Sequence, residues 1–88
     1  MTLMKVRKPT PDEILETKNW SVWSKESSKF NWNYNDRELC YILEGEAIVK
    51  DKLGEVINFK RGDFVVFEKG LECEWEIISA IKKKYKFV

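Results

Sequence analysis

Six consecutive residues, Glu72-Cys73-Glu74-Trp75-Glu76-Ile77, alternate without a break between a carboxylate and an apolar side chain. Successive side chains of a strand point to opposite faces, so this run puts Cys73, Trp75 and Ile77 on one side and the glutamates on the other. In a helix the same order would scatter both kinds around the circumference. The run therefore predicts an antiparallel strand with one face buried and one in water. A strand of this kind cannot stand alone. It needs partners that bury the Trp75 face.

Those partners are legible upstream and downstream. Met4 to Lys8 reads as a first strand, followed by a helix start at Thr10-Pro11-Asp12-Glu13. Thr10 can cap, Pro11 suits the first helical position, and Glu13 completes a capping box, with the helix fading near Lys18-Asn19. Trp20, Val22 and Trp23 read as one irregular strand. From Phe30 the period is two, with Phe30, Trp32 and Tyr34 on one face and Asn31 and Asn33 on the other. After a turn at Asn35-Asp36 come a strand from Glu38 to Glu44, Gly45, and a partner strand from Glu46 to Asp51. Lys52-Leu53-Gly54 reads as a hairpin turn into Val56 to Phe59. Arg61-Gly62-Asp63 turns into Phe64 to Phe67, and Glu68-Lys69-Gly70 turns again. A last strand, Ile81 to Phe87, places Ile81, Lys83, Tyr85 and Phe87 on one side. Short strands with turn signals every eight to twelve residues predict a sandwich or barrel.

With 88 residues the chain has room for a single domain spanning 1–88. So small a domain has a small core, and its aromatics (14% of residues) carry much of it. The formal charge is +1 with both signs interspersed. No basic stripe forms, which argues against nucleic acid as a partner. The one basic run, Lys82-Lys83-Lys84 with Lys86, reads as a solvated edge strand on which lysines discourage stray pairing. No apolar run reaches signal or membrane length, which argues against a membrane partner. Two cysteines, Cys40 and Cys73, without a CxxC read as reduced thiols in a cytoplasmic setting, or in an organelle after loss of a transit peptide.

Two segments carry a resemblance. Glu38-Leu39-Cys40-Tyr41-Ile42-Leu43-Glu44-Gly45 resembles the first cupin motif, with its E-x-x-Y-x-L-x-G core. Gly62-Asp63-Phe64-Val65-Val66-Phe67-Glu68-Lys69-Gly70 resembles the second, G-D-x-x-x-x-P-x-G, with Glu68 in place of Pro. Phe30-x-Trp32, Trp75 and Ile81-Lys82-Lys83-x-Tyr85 narrow the likeness to small single-domain cupins grouped with the ureidoglycine aminohydrolase-like cupin domain. The resemblance covers residues 4–88 and implies an all-β, jelly-roll β-barrel with a short N-terminal helix. It leaves function open, because one fold hosts many chemistries.

The resemblance also implies where a metal would sit. Metal-binding cupins offer two His and a Glu from the first motif and a His from the second. This chain has no His. The first-motif His positions fall on Trp32 and Tyr34, the Glu is kept as Glu38, and the second-motif position is Cys73. Glu38, Cys73 and Cys40 make an S/O set that zinc accepts. Free cysteines are equally at home in a small core. The expectation is a barrel without metal or other cofactor.

Glu38 and Lys83 both point inward by alternation, and the resemblance supplies a recurring Lys before the final Tyr. A lone buried charge is costly, so each needs the other. The pair reads either as the recognition element for a small polar ligand with carboxylate or amine groups, or as a satisfied ion pair near the barrel mouth. Trp32, Tyr34 and Trp75 read either as ligand-stacking walls or as packed core. Cys40 or Cys73 would act as a nucleophile only beside a base, and Lys83 is the one candidate. The expected function is metal-free binding of a small polar metabolite, with enzyme activity not legible. The alternatives are an enzyme acting on a small nitrogen-containing metabolite, as the resemblance implies, and a structural or partner-binding module with a filled barrel. Either a monomer or a homodimer fits.

Overall fold

The capping box expected at Thr10 forms. In the computed structural model, which describes residues 2–88, the Thr10 hydroxyl accepts from the Glu13 N–H at 3.2 Å and the Glu13 carboxylate accepts from the Thr10 N–H at 2.9 Å. The helix α1 (Pro11–Glu16) runs into a 3-10 turn at Thr17–Asn19. Everything else regular is strand: β1 (Met4–Arg7), β2 (Ser21–Lys25), β3 (Ser28–Asn33), β4 (Glu38–Asp51), β5 (Val56–Lys60), β6 (Phe64–Phe67) and β7 (Glu72–Phe87). The protein is an all-β barrel with one short helix, and every strand pairing is antiparallel.

Two long strands organise the barrel. β7 runs 16 residues and β4 14. They pair with each other along most of their length, from Glu38 opposite Phe87 to Asp51 opposite Cys73. The far side of β7 takes β3 along its first half, with Phe30 opposite Trp75, and β2 along its second half, with Trp23 opposite Lys83. The far side of β4 takes β6 along its first half and β5 along its second. β1 completes the order by pairing with β6.

This differs from the sequence reading in two places. Glu38–Glu44 and Glu46–Asp51 are one strand, not a pair around Gly45. The buried side chains of β4 are Glu38, Cys40 and Ile42 before Gly45, but Ala47, Val49 and Asp51 after it. The inward parity flips from even to odd, and the register shifts fall between Ile42 and Ala47. An extra residue in one strand does this: it re-aims the side chains and lets both halves face the same interior. Gly45 sits there with φ of +88°. A Cβ on it would collide with the backbone carbonyl oxygens of Ser79 and Ala80. The glycine is needed for close approach of two strands, rather than for a turn.

Glu72–Ile77 and Ile81–Phe87 are likewise one strand. Their inward residues share one parity, and no Gly or Pro lies between them. That also corrects the reading of the lysine run. β7 is flanked on both sides, so the lysines do not guard an edge. Lys82 is exposed, while Lys83 turns inward and is 5% exposed.

The core is aromatic. Trp75 packs against Phe59 at 5.4 Å and Phe67 at 5.5 Å between ring centroids, and stacks on Phe30 at 5.9 Å. Ile42, Val49, Val65, Leu71, Ile77 and Ile81 close around this group. Two of the buried carboxylates belong to turns. Asp51 accepts the N–H groups of Leu53 and Glu55 at 2.9 and 2.8 Å. Asp63 accepts the Lys60 N–H at 2.9 Å and the Lys8 ammonium at 2.7 Å. No helix among the described residues is long and apolar enough to cross a membrane.

Candidate functional site

One end of the barrel is not filled. A cavity of about 250 Å³ is lined by Trp23, Phe30, Trp32, Tyr34, Glu38, Trp75, Lys83, Tyr85 and Phe87. Four strands bring these residues together, β4 supplying Glu38 from its inward row. On β7, Trp75, Lys83, Tyr85 and Phe87 share the inward parity. On β3 and just beyond it, Phe30, Trp32 and Tyr34 do the same. On β2, Trp23 points in because it lies opposite Lys83.

The polar centre is the Glu38–Lys83 pair. The Lys83 ammonium donates to the two Glu38 oxygens at 3.3 and 3.1 Å, and both side chains are almost fully buried. The same ammonium lies 4.8 Å from the Trp75 ring centre, 4.9 Å from Trp23 and 5.9 Å from Tyr85. Ring faces carry negative charge density, so three walls hold the cation while a fourth holds the anion. Tyr34 stacks flat on Phe67 with centroids 4.9 Å apart. Its backbone is fixed by hydrogen bonds to Leu71 and Gly70, each at 2.8 Å. Burial first, then the neighbouring Glu38 charge, pushes the Tyr34 phenol well up, so it stays a neutral donor and acceptor. Trp32, by contrast, is half exposed and stands at the mouth.

Of the residues singled out in the sequence, Glu38, Lys83, Tyr34, Trp32 and Trp75 meet at this cavity. The cysteines do not line it. Cys40 is wholly buried in the core, and that burial raises its thiol far above the ordinary value. The Cys73 thiol donates to the Trp32 carbonyl at 3.4 Å and is pushed up to about 11, first by burial and then by the charges of Asp51 and Glu38. Sequence reasoning left four wall residues out of the site. Phe30, Tyr85 and Phe87 continue the period-two rows of Trp32 and Lys83, and extending those rows would have found them. Trp23 had no such signal, since its place depends on β2 pairing with β7 some sixty positions away.

The donor set does not fit a metal. Among the described residues no three His, Cys, Asp or Glu side chains gather where they could hold an ion. Of the residues at the motif positions, Trp32 and Tyr34 offer rings, Glu38 is bound to Lys83, the Cys73 thiol is turned to the Trp32 carbonyl, and the Cys40 thiol, beside the charged pair, is pushed far up by burial. The arrangement offers instead a charged pair, a neutral phenol and flat apolar walls. That is equipment for holding a small molecule in a defined orientation.

Comparison with known proteins adds a lineage to this geometry. The model of the EutQ-like cupin domain matches residues 13–85. A DUF861 family protein from Thermotoga maritima superposes with a TM-score of 0.93 at 39% identity, covering 97% of this chain and 99% of its own. A DUF861 family protein of unknown function from Pseudomonas syringae superposes at 0.69 and 22% identity, over 76% of this chain and 29% of its own. The Clostridium difficile EutQ protein superposes at 0.70 and 15% identity, over 96% of this chain and 66% of its own. The last two share the fold alone. No curated protein matches the chain significantly.

Proposed function

This chain belongs to the EutQ-like cupin domain family, and from that premise we propose that its barrel binds a small polar metabolite without a metal, through the Glu38–Lys83 pair and the aromatic walls. The observation that carries this reading is the treatment of Glu38. The other two buried carboxylates, Asp51 and Asp63, accept backbone N–H groups and hold turns. Glu38 holds no turn: its partners are side chains, the Lys83 ammonium at 3.3 and 3.1 Å with the Tyr34 phenol and the Cys40 thiol beside it, and the pair faces a cavity. A buried ion pair is a weak source of stability, because apolar residues of similar volume are often as good or better. Its place on the wall of an open space is more naturally that of a recognition element.

A purely structural module would have Trp32, Tyr34 and Trp75 filling the barrel. They wall it instead. The ureidoglycine aminohydrolase-like reading, with a small nitrogen-containing substrate, shares the cavity but requires hydrolytic chemistry. The wall has no activated thiol, and the donor set does not fit the metal that such a reading implies. Binding is therefore the better-supported function.

Trp32 provides the test. It lines the cavity yet is half exposed, so Trp32→Ala should leave the fold intact. Ligand-observed NMR against a library of small polar fragments should yield hits that the variant loses while its melting temperature stays near the parent's. Hits that bind the variant equally well, or no hits at all, would refute the cavity as a binding site.

A further inference from the structure

The charged pair has no vacancy for a ligand's hydrogen bonds. Lys83 donates to both Glu38 oxygens, and the Tyr34 phenol and the Cys40 thiol stand beside the same carboxylate. Among the described residues no buried side-chain nitrogen or oxygen lacks a partner. A ligand that engages this pair must therefore break one of its contacts or react with it. What the pair offers for reaction is a primary amine on the wall of a cavity, with a proton acceptor 3.1 Å away.

Lys83 differs in this from the other paired lysines. Lys8, Lys29 and Lys52 also meet carboxylates, but their side chains stand largely in water, where hydration keeps both partners charged. Lys83 and Glu38 are buried, and the rings of Trp23, Trp75 and Tyr85 surround the ammonium. Passing one proton from Lys83 to Glu38 cancels two buried charges at once and recovers their desolvation cost. The ammonium is the resting form, held by Glu38 and the ring faces. The amine is reached by that one proton transfer, and a desolvated lysine amine is the nucleophile that condenses with carbonyl compounds.

We propose that Lys83 captures a small aldehyde or ketone as a covalent imine, with Glu38 moving the protons. This deepens the binding function proposed above and rests on it. Glu38 takes a proton from the ammonium. The amine lone pair then forms a C–N bond to the carbonyl carbon while the C=O π pair moves to oxygen. That oxygen takes a proton from the nitrogen, giving a carbinolamine. Glu38 returns its proton to the hydroxyl, the C–O bond breaks, and water leaves. The product is a protonated imine beside a Glu38 carboxylate. One positive and one negative charge stand in the site before and after, so the carboxylate and ring faces that hold the ammonium also hold the iminium. Flat walls and a volume of about 250 Å³ suit a carbonyl conjugated to a single ring.

Benzaldehyde is the probe, with cyanoborohydride to reduce the imine to a stable benzylamine and peptide mass spectrometry to place it. Exposed Lys82, next in the chain, is the internal standard. Lys83 should be benzylated about 10-fold faster than Lys82 or more, despite its burial, because the cavity holds the aldehyde against the amine. Benzyl alcohol has the same shape without the carbonyl, and should slow labelling at Lys83 while leaving Lys82 unchanged. In Glu38→Ala, formate can enter the space left by the carboxylate. If Glu38 moves protons, formate should speed Lys83 labelling in that variant; if Glu38 is only a counter-ion, formate should slow it and the shuttle falls. Should the variant fail to fold, the rate ratio and the competition in the parent protein still decide. Lys83 labelling no faster than Lys82, or indifferent to benzyl alcohol, would overturn the imine assignment. If Lys83 is not labelled while fragment hits still depend on Trp32, the assignment fails and the cavity reading stands. If neither labelling nor hits are seen, both fall.

Discussion

β7 passes through two regions that obey the same alternation and end differently. Around Trp75 the inward side chains meet aromatic and aliphatic partners at van der Waals distance. Behind Trp75 the space is closed and the residue is 2% exposed, while the other side of its ring forms part of the cavity wall. Eight residues on, the inward position is Lys83, nearly as buried, and beside it lies an open cavity. The difference is one of what can fill space. Apolar rings interlock with whatever surrounds them, whereas an ammonium must meet a carboxylate in a defined geometry and leaves the volume beyond that contact unfilled. One pattern thus builds a core behind Trp75 and a receptacle in front of it, where Lys83 stands.

The comparison breaks first at Trp75. If that end is packing alone, Trp75→Ala should cost about 3–5 kcal/mol in urea or thermal unfolding, a large share of the stability of so small a domain. A melting temperature within a few degrees of the parent would show that the aromatic cluster does not hold the barrel. Gly45→Ala probes the join between the two regions. It meets both a positive φ and the Ser79 and Ala80 carbonyls, so the loss should exceed about 1 kcal/mol in the same measurement.

The other end should behave differently. Glu38→Gln and Lys83→Met should each destabilise by roughly 1–3 kcal/mol, because each leaves a buried group without its partner. The double variant Glu38→Gln/Lys83→Met should regain part of the loss, which packing residues do not do. Strictly additive losses in the unfolding free energies would mean two independent charges, and would remove the physical reason for treating this end as a site.

How much of this was open to reading follows from how local each feature is. The capping box at Thr10, the turns and the inward rows of β3 and β7 depend on neighbours in the chain, and the sequence displays them. The Glu38–Lys83 contact is long-range, yet two inward charges in one small interior have few partners to choose from. The continuity of β4 was hidden because a bulge at Gly45 and a turn leave the same mark: a glycine and a break in parity. Trp23 was hidden because its role lies wholly in the β2–β7 register. The cysteines misled because inward parity says that a side chain is buried, not whether it meets the cavity or the core.

The cysteines sharpen the comparison by chemistry. Cys73 lies on the inward face of β7, opposite Trp32 and two residues before Trp75, so it reports on how tightly the strands close there. With its thiol pushed up to about 11, about one molecule in a thousand is thiolate at pH 8, and the thiolate is the reactive form. Iodoacetamide labelling of the native protein should be slow at pH 8 and rise steadily toward pH 11. Cys40 should label only on unfolding. Rapid native labelling of either residue at pH 8, followed by mass spectrometry, would show that this end is more open than its packing implies.

The smallest expected effect asks whether burial or mere pairing gives the Glu38–Lys83 contact its weight. Arg7 and Glu13 form an ion pair of better geometry, with two hydrogen bonds of 2.7 and 2.6 Å, but at the surface. The Arg7 guanidinium first, then the Thr10 N–H, lowers the Glu13 carboxyl from 4.5 to about 2. A carboxyl lowered in the folded state contributes stability that is present above pH 4.5 and is lost as the pH falls toward 2. Glu13→Gln should therefore differ from the parent above pH 4.5 and converge with it near pH 2 in urea titrations across that range. Water and salt screen an exposed pair, so the difference should be small and should shrink further in high salt. Glu38→Gln, by contrast, should keep its deficit in salt, because screening does not reach a pair enclosed by Trp23, Trp75 and Tyr85. If the two variants lost comparable stability and showed the same salt dependence, the geometry of pairing alone would account for both. The cavity end would then have no special electrostatics for a ligand to exploit.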